Sequence, residues 1–194
     1  MRIAIMGAGG VGGNLGAKLA ADGHEVALIA RGAHLAAIRE NGLKVLSRYT
    51  GDLHVRPAIA TDDPAEVGPV DVVLVTTKLY DLEAATAALK PMLGPETPAI
   101  SLLNGVDAVE RMTPILGPGH AVPGVAYTTA TIEEPGVIRH VSGPHLIGFG
   151  EAAGGRSARL DAFDAAARAA EIETDYSADA REVVWRKFAL LVAV

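Results

Sequence analysis

The stretch RIAIMGAGGVGG at residues 2–13 sets a short β-branched run directly against a cluster of glycines. Few folds accommodate that pairing. Arg2 to Met6 reads as a buried strand that stops at glycine. From Val11 to Ala21 the pattern turns helical: Val11, Leu15 and Leu19 share one face, with Gly12, Gly16 and Ala20 as a small-residue stripe beside it. Between strand and helix stands G-x-G-x-x-G, formed by Gly7, Gly9 and Gly12. Gly7 permits a tight turn, Gly9 lets the backbone approach a pyrophosphate, and Gly12 lets helix and strand pack closely. The helix N-terminus would offer free N–H groups and a partial positive charge to the phosphates. The turn Gly7, Ala8, Gly9, Gly10, Val11, Gly12 is therefore the expected dinucleotide site. The competing reading is a glycine turn with a structural role only.

The rest of the chain continues in βα units. His24 to Ala30 reads as a second strand, Ala33 to Glu40 as a short helix, and Leu43 to Arg56 as a hairpin around YTGD. Val70 to Val75 is a fully apolar strand, Leu82 to Met92 a helix, Ala99 to Leu103 a strand and Asp107 to Leu116 a helix. Ala121 to Arg139 then predicts two strands around EEPG, and Leu146 to Phe149 a third. An alanine-rich helix follows over Arg156 to Glu171, then a short ETDYS connection. A last helix starts near Asp179, where Asp179 and Glu182 have the spacing of a capping box. Alternating strands and helices predict an α/β, Rossmann-type, doubly wound and mostly parallel sheet, with an antiparallel extension from the later strands. Hydrophobic residues make up 49% of the chain and aromatics only 4%, a mix suited to helices packed closely on a buried parallel sheet.

Ligands of open α/β sheets bind beyond the carboxyl ends of the strands. The second strand ends ALIA and is followed by Arg31 rather than by an acidic residue. Asp or Glu there would hold a ribose 2′-hydroxyl, whereas arginine suits a 2′-phosphate by charge and bidentate geometry. The expected cofactor is thus NADP(H) rather than NAD; an ordinary solvated arginine is the alternative. His34 could assist or could lie on an exposed helix face. Lys78, after VDVVLVTT, could face phosphate, ribose or an anionic substrate, or simply solvent. Asn104, after AISLL, could bond the nicotinamide ribose or the substrate, or serve only as the first residue of an NG turn. Arg186 and Lys187 lie in the apolar run VVWRKFALLVAV and point about 100° apart on a helix. One turned inward would have a lowered pKa and could act as a general acid or base. The alternative is that both snorkel to water.

Several classes are excluded or disfavoured. A formal net charge of −6 argues against a nucleic-acid surface. The absence of cysteine removes disulfides, thiolate metal ligands and a thiol nucleophile, and favours the cytoplasm. No metal is expected. No signal-peptide pattern precedes the first strand, and no run approaches the ~20 apolar residues of a membrane span.

MRIAIMGAGGVGG, RGAHLAAIRENGLKV, VLVTTKLYD, LLNGVDAVE, EEPGVIRHVSGPHLIGFGE and VVWRKFALLVAV occur in this order. In that ordered set the chain resembles the ketopantoate reductase (2-dehydropantoate 2-reductase) family over essentially all 194 residues. The resemblance implies NADPH-dependent reduction of a 2-keto acid, ketopantoate to pantoate, on the pantothenate and coenzyme A route. It implies a Rossmann domain over residues 1–176 and, over 177–194, the first helix of an all-α substrate domain whose remainder is absent. Carried over by motif, Gly7, Gly9 and Gly12 hold pyrophosphate and Arg31 meets the 2′-phosphate. Lys78 and Asn104 lie near the cofactor and reacting centre, and Lys187, two residues after Trp185, is the catalytic proton donor. In pantoate-forming members an asparagine commonly stands four residues after that lysine; here the position is Leu191. The keto acid therefore stays open, as do a non-catalytic NADP-binding module, a related Rossmann dehydrogenase acting on another carbonyl compound, and a homodimer.

Overall fold

A computed structural model describes residues 1–193; Val194, the last residue of the C-terminal motif, lies outside the described residues. The centre of the molecule is an eight-stranded sheet. At its heart β1 (Arg2–Met6) lies between β2 (Glu25–Ile29) and β6 (Val72–Val75), parallel to both. The sheet continues past β2 to β5 (Ile59–Thr61), and past β6 to β7 (Ala99–Ser101) and β8 (Ala121–Ala126), all parallel. Beyond β8 come β11 (Leu146–Phe149), antiparallel to it, and β12 (Glu173–Tyr176), parallel to β11. The order reverses between β1 and β6, which makes their carboxyl ends the switch-point crevice of a doubly wound fold.

The apolar runs are continuous because both faces of this sheet are covered. Ile3 and Ile5 of β1 point to one layer, with Leu15, Leu19, Leu28 and Leu74. Ala4 and Met6 point to the other, with Ile29, Val75, Leu82, Leu89 and Met112. Helix α1 (Gly10–Ala21) covers the first face, and α3 (Leu82–Ala88) and α4 (Ala108–Leu116) the second. Helix α2 (Gly32–Asn41) follows β2, and α5 (Ala158–Ala169) makes the crossover between β11 and β12. Helix α6 (Ala180–Val192) packs on β8 and β11 through Val183 and Val184.

A second, four-stranded sheet stands on the far side of α1. Its order is β4 (Leu53–Val55), β3 (Leu43–Leu46), β10 (Val137–Ser142), β9 (Thr129–Glu134). The 43–56 hairpin forms as expected but belongs here, with β3 parallel to β10. Helix α1 is thus sandwiched, and Gly12 to Leu19 are buried without a break. A Cβ on Gly12 would stand 2.2 Å from Thr76 Oγ1 and 2.5 Å from the Gly7 carbonyl on the main-sheet side. On the other side, a Cβ on Gly10 would stand 2.0 Å from the Ala130 carbonyl of β9.

Three sequence expectations need correction. Residues 121–139 fall in three strands, not two: β8 stays in the main sheet, and EEPG turns β9 into β10 in the second sheet, with Gly136 at φ 78°. ETDYS is not a bare connection, since its first four residues form β12; its polar composition hides an edge strand. The helix expected over 82–92 stops at Ala88, and Lys90–Met92 forms a 3₁₀ turn containing Pro91, which has no N–H to donate. The short strand β5 had no sequence signal of adequate length. At α6, Asp179 accepts hydrogen bonds from the N–H groups of Arg181 (3.1 Å) and Glu182 (3.3 Å), so the cap forms.

The sandwich makes steric demands that can be measured. Gly12→Ala and Gly10→Ala are each expected to destabilise the fold by about 1–3 kcal/mol in urea titrations, because backbone must move to admit the methyl group. Gly9→Ala is expected to leave stability nearly unchanged, since no atom beyond its immediate neighbours lies closer than 4.0 Å to that Cβ position.

Candidate active site and cofactor cleft

Two adjoining cavities run along the carboxyl ends of the strands and share Thr76, Thr77 and Lys78. The smaller, about 260 Å³, is floored by the turn Gly7, Ala8 and Gly9 and walled by Ile29, Arg31, His34 and Ile132. The larger, about 570 Å³, runs past Val11 and Asn104 to Tyr127, Thr128 and Lys187. Gly7, Ala8, Gly9, Val11, Arg31, His34, Lys78, Asn104 and Lys187 therefore line these adjoining cavities, with Arg31 at one end and Lys187 at the other, whereas Gly10 and Gly12 line neither.

The turn has the geometry its sequence requires. Gly7 follows β1 with φ 100°, a conformation that side chains rarely adopt. Its carbonyl accepts from Gly9 N–H (2.7 Å) and from Thr76 Oγ1 (2.9 Å), which locks the turn to the end of β6. Helix α1 begins at Gly10, and Gly13 N–H is bonded to Gly9 O at 2.7 Å. The N–H groups of the first turn have no helical partner and point out of the helix start. Gly9 leaves open space there, while Gly10 and Gly12 have none to spare. A pyrophosphate fits this cradle: open backbone at Gly9, free donors and the positive end of α1.

Arg31 stands two residues past the end of β2, as the residue before α2, and is exposed. Among the described residues it makes no ion pair. Lys78 is exposed on the shared rim. His34 is the residue that sequence reasoning undervalued. Gly136 N–H donates to His34 Nδ1 (3.0 Å), which leaves Nε2 to donate to the Ala8 carbonyl (3.0 Å). The imidazole thereby pins the glycine turn, α2 and the β9–β10 turn together. Desolvation by burial lowers its pKa, with the Ala8 bond acting in the opposite direction.

At the other end Lys187 is 9% exposed, while its neighbour Arg186 points outward to Asp175 and Glu182. The two basic residues thus divide as their 100° separation allows, Lys187 inward. Lys187 Nζ donates to Asn104 Oδ1 at 2.8 Å and to the Ala126 carbonyl at 2.6 Å, and lies 5.7 Å from the centre of the Tyr127 ring. Burial lowers its pKa. Asn104, exposed at the end of β7, is brought to the lysine across 83 residues of sequence. Tyr127 and Thr128 were missed because the end of β8 was misplaced. With that strand ending at Ala126, the rule that found Asn104 would have found them too.

Behind Thr128 lies a buried polar chain. Asn14 of α1, fully buried, donates to Thr128 Oγ1 (3.4 Å) and accepts from His145 Nε2 (3.3 Å). The His145 ring lies 4.3 Å from that of His140, whose Nδ1 accepts from Ser47 Oγ (2.9 Å) and whose Nε2 donates to Gly143 O (3.0 Å). Lys18 lies on the same face of α1 as Asn14, and its Nζ is 3.4 Å from a Glu171 carboxylate oxygen. Among the described residues no group of three or more His, Cys, Asp or Glu side chains could hold a metal ion. No described helix is long and apolar enough to cross a membrane.

An open sheet with a glycine turn at its switch point is the architecture of dinucleotide-binding Rossmann domains, and here a buried lysine bonded to an asparagine stands at the far end of the cleft. Residues 3–154 match the family described as ketopantoate reductase PanE/ApbA, and the chain belongs to that family. It is 32% identical to a 2-dehydropantoate 2-reductase of Mesorhizobium japonicum, over 96% of this chain and 63% of that protein. It superposes with a TM-score of 0.92 and 37% identity on the crystal structure of a 2-dehydropantoate 2-reductase from Porphyromonas gingivalis, covering 98% of this chain and 69% of that one. A D-mandelate dehydrogenase with NADH and anilino(oxo)acetate shares the fold, with a TM-score of 0.85 at 24% identity. The chain thus spans about two thirds of the length of such relatives.

The buried histidine makes stability depend on pH. Desolvation first, then the charges of His140 and Lys18, push the pKa of His145 from 6.5 to about 4, opposed by Glu171. Below pH 6.5 the unfolded chain gains a proton that the folded chain refuses. Stability present above pH 6.5 should therefore be lost progressively as pH falls from 6.5 toward about 4. The expected loss is on the order of 3 kcal/mol. Urea titrations across that window should show it, and His145→Gln should flatten it.

Proposed function

We propose that the complete protein reduces a 2-keto acid with NADPH, and that ketopantoate to pantoate, on the route to pantothenate and coenzyme A, is the reaction its family membership favours. The observation that carries this reading is Lys187. It is a desolvated ammonium bonded to Asn104, on the wall of a cleft that leads without a break from the glycine turn.

In this reading residues 1–176 bind the cofactor and α6 begins the substrate-binding part. Gly7, Ala8, Gly9, Gly10, Val11 and Gly12 receive the pyrophosphate. Arg31, with no acidic residue beside it at the end of β2, receives a 2′-phosphate, so NADPH is favoured over NADH. Lys78 sits over the middle of the cleft, where phosphate, ribose and substrate carboxylate come within reach. Bound NADPH would supply the hydride to the keto carbon. Lys187 has two of its three N–H groups engaged by Asn104 and Ala126, and the third has no partner among the described residues and would serve the carbonyl oxygen. It stabilises the negative charge growing on that oxygen and transfers a proton from Nζ to it, forming the alcohol. Asn104 holds the ammonium in place. Cytoplasmic residence suits a cysteine-free NADPH enzyme. The half-exposed Trp185, Leu190 and Val192 on α6 would suit an apolar contact such as a homodimer.

The 194-residue chain should bind NADPH more tightly than NADH, and Arg31→Ala should erase roughly 10-fold or more of that preference. Fluorescence titration decides, and stronger NADH binding would remove the Arg31 argument. In the complete protein Lys187→Ala should cut kcat by roughly 10²–10⁴-fold, with NADPH binding retained. Because burial lowers the pKa of Lys187 from 10.5, and the proton donor must be charged, activity should fall as pH rises, on a limb lying below pH 10.5.

A further inference from the structure

The ring of His34 lines the smaller cavity between Ala8 in its floor and Ile132 in its wall, and both ring nitrogens are spent on main chain. Nε2 donates to the Ala8 carbonyl at 3.0 Å, the only hydrogen bond that carbonyl accepts among the described residues. Nδ1 accepts from Gly136 N–H at 3.0 Å, in the turn between β9, which carries Ile132, and β10. A carbonyl on one side and an N–H on the other admit one form of the ring, neutral with its proton on Nε2. The floor needs such a brace. The Ala8–Gly9 peptide adjoins a glycine, whose φ meets little steric resistance, and no atom beyond its immediate neighbours lies closer than 4.0 Å to the Gly9 Cβ position. Ala8 is 2% exposed, so its carbonyl has no water to turn to in place. Released, this peptide can rotate, and the N–H groups that follow it at the start of α1 are re-aimed. The wall is braced through the same helix. Gly136, at φ 78°, lies so close to α2 that a Cβ there would stand 2.9 Å from Ala37 Cβ, one helical turn on from His34.

On the reading that this cleft takes a nicotinamide dinucleotide, we propose that His34 is a positioning residue for the cofactor: its neutral ring holds the floor and the wall of the cavity at one separation. With both nitrogens occupied, it leaves the 2′-phosphate to Arg31. The cofactor binds the braced arrangement only. A chain that keeps this arrangement a tenth of the time binds about tenfold more weakly, and does so for every dinucleotide with the same pyrophosphate.

The test titrates the complete protein and its His34→Leu and His34→Gln variants with NADPH and with NADH. Leucine makes no hydrogen bond, whereas glutamine carries an acceptor and a donor on one planar group, as the ring does. His34→Leu is expected to weaken both cofactors by about 10-fold or more and to keep the NADPH-over-NADH ratio that Arg31→Ala is expected to erase. In turnover the loss should fall on KM for the cofactor, with kcat at saturation kept. His34→Gln is expected to recover most of the affinity. A loss confined to NADPH would make His34 a phosphate ligand, and unchanged affinities in His34→Leu would make it a structural residue only; either result overturns the inference. So does a glutamine variant that binds no better than the leucine one. Amide hydrogen exchange at Gly136, outside the cavity lining, supplies an arm without substitutions. NADPH at about 100 times its Kd is expected to slow that exchange roughly 10-fold or more, because the bound state excludes opening of the His34 bridge. Exchange that NADPH leaves unchanged overturns the inference while the cofactor reading stands. If the unmodified protein binds neither cofactor, the reading of the cleft falls and takes the inference with it.

Discussion

Helix α1 is gripped on both sides, and the other features of the cleft depend on that grip. On one side Gly12 and Gly16 let the helix sink onto β1 and β2; on the other, Gly10 and Gly13 admit Ala130 and Ile138 of the second sheet. Burial on both sides explains why α1 is otherwise small and apolar; its polar residues Asn14 and Lys18 are buried with partners, Thr128 and His145 for the first and Glu171 for the second. The close approach sets the helix start at the mouth of the switch-point crevice. It also brings the β9–β10 turn near enough for Gly136 to bond His34 and for His34 to bond Ala8. The glycine turn is therefore held from behind by packing and from the side by a neutral imidazole.

The cleft is organised by which charges are solvated and which are not. Arg31 and Lys78 stand in solvent, where they can meet phosphates, in a chain of net charge −6. Lys187 is withdrawn from water and given only neutral partners, a carbonyl and an amide oxygen. With no carboxylate pairing it, desolvation stands unopposed and its proton is easier to release. Burial lowers the pKa of His145 too, as a cation behind the cleft wall would lack solvation and face Lys18.

Much of this was legible before the fold was known, and the misses have physical causes. The glycine turn, β1, α1 and the strand-end residues Arg31, Lys78 and Asn104 are local patterns, and each sits where its pattern placed it. The inward turn of Lys187 was narrowed to one of two adjacent residues by helical spacing alone. Strand β12 was read as a connection because an edge strand of Glu, Thr, Asp and Tyr carries no apolar alternation. Tyr127 and Thr128 were passed over because the boundary between β8 and β9 is only two residues wide and contains no glycine or proline.

The amino-acid sequence by itself determined the parallel α/β character, the glycine turn and the set of polar residues at strand ends, since these follow from periodicity and from the steric needs of glycine over a few residues. Tertiary structure alone decided that the 43–56 hairpin leaves the main sheet to join β10, because that pairing joins segments more than 80 residues apart. It alone decided that Asn104 meets Lys187, that His34 bridges two turns, and that Asn14 links His145 to the cleft wall. Those contacts depend on strand order and on the depth to which α1 sinks between two sheets, and neither quantity is encoded in any single stretch of chain.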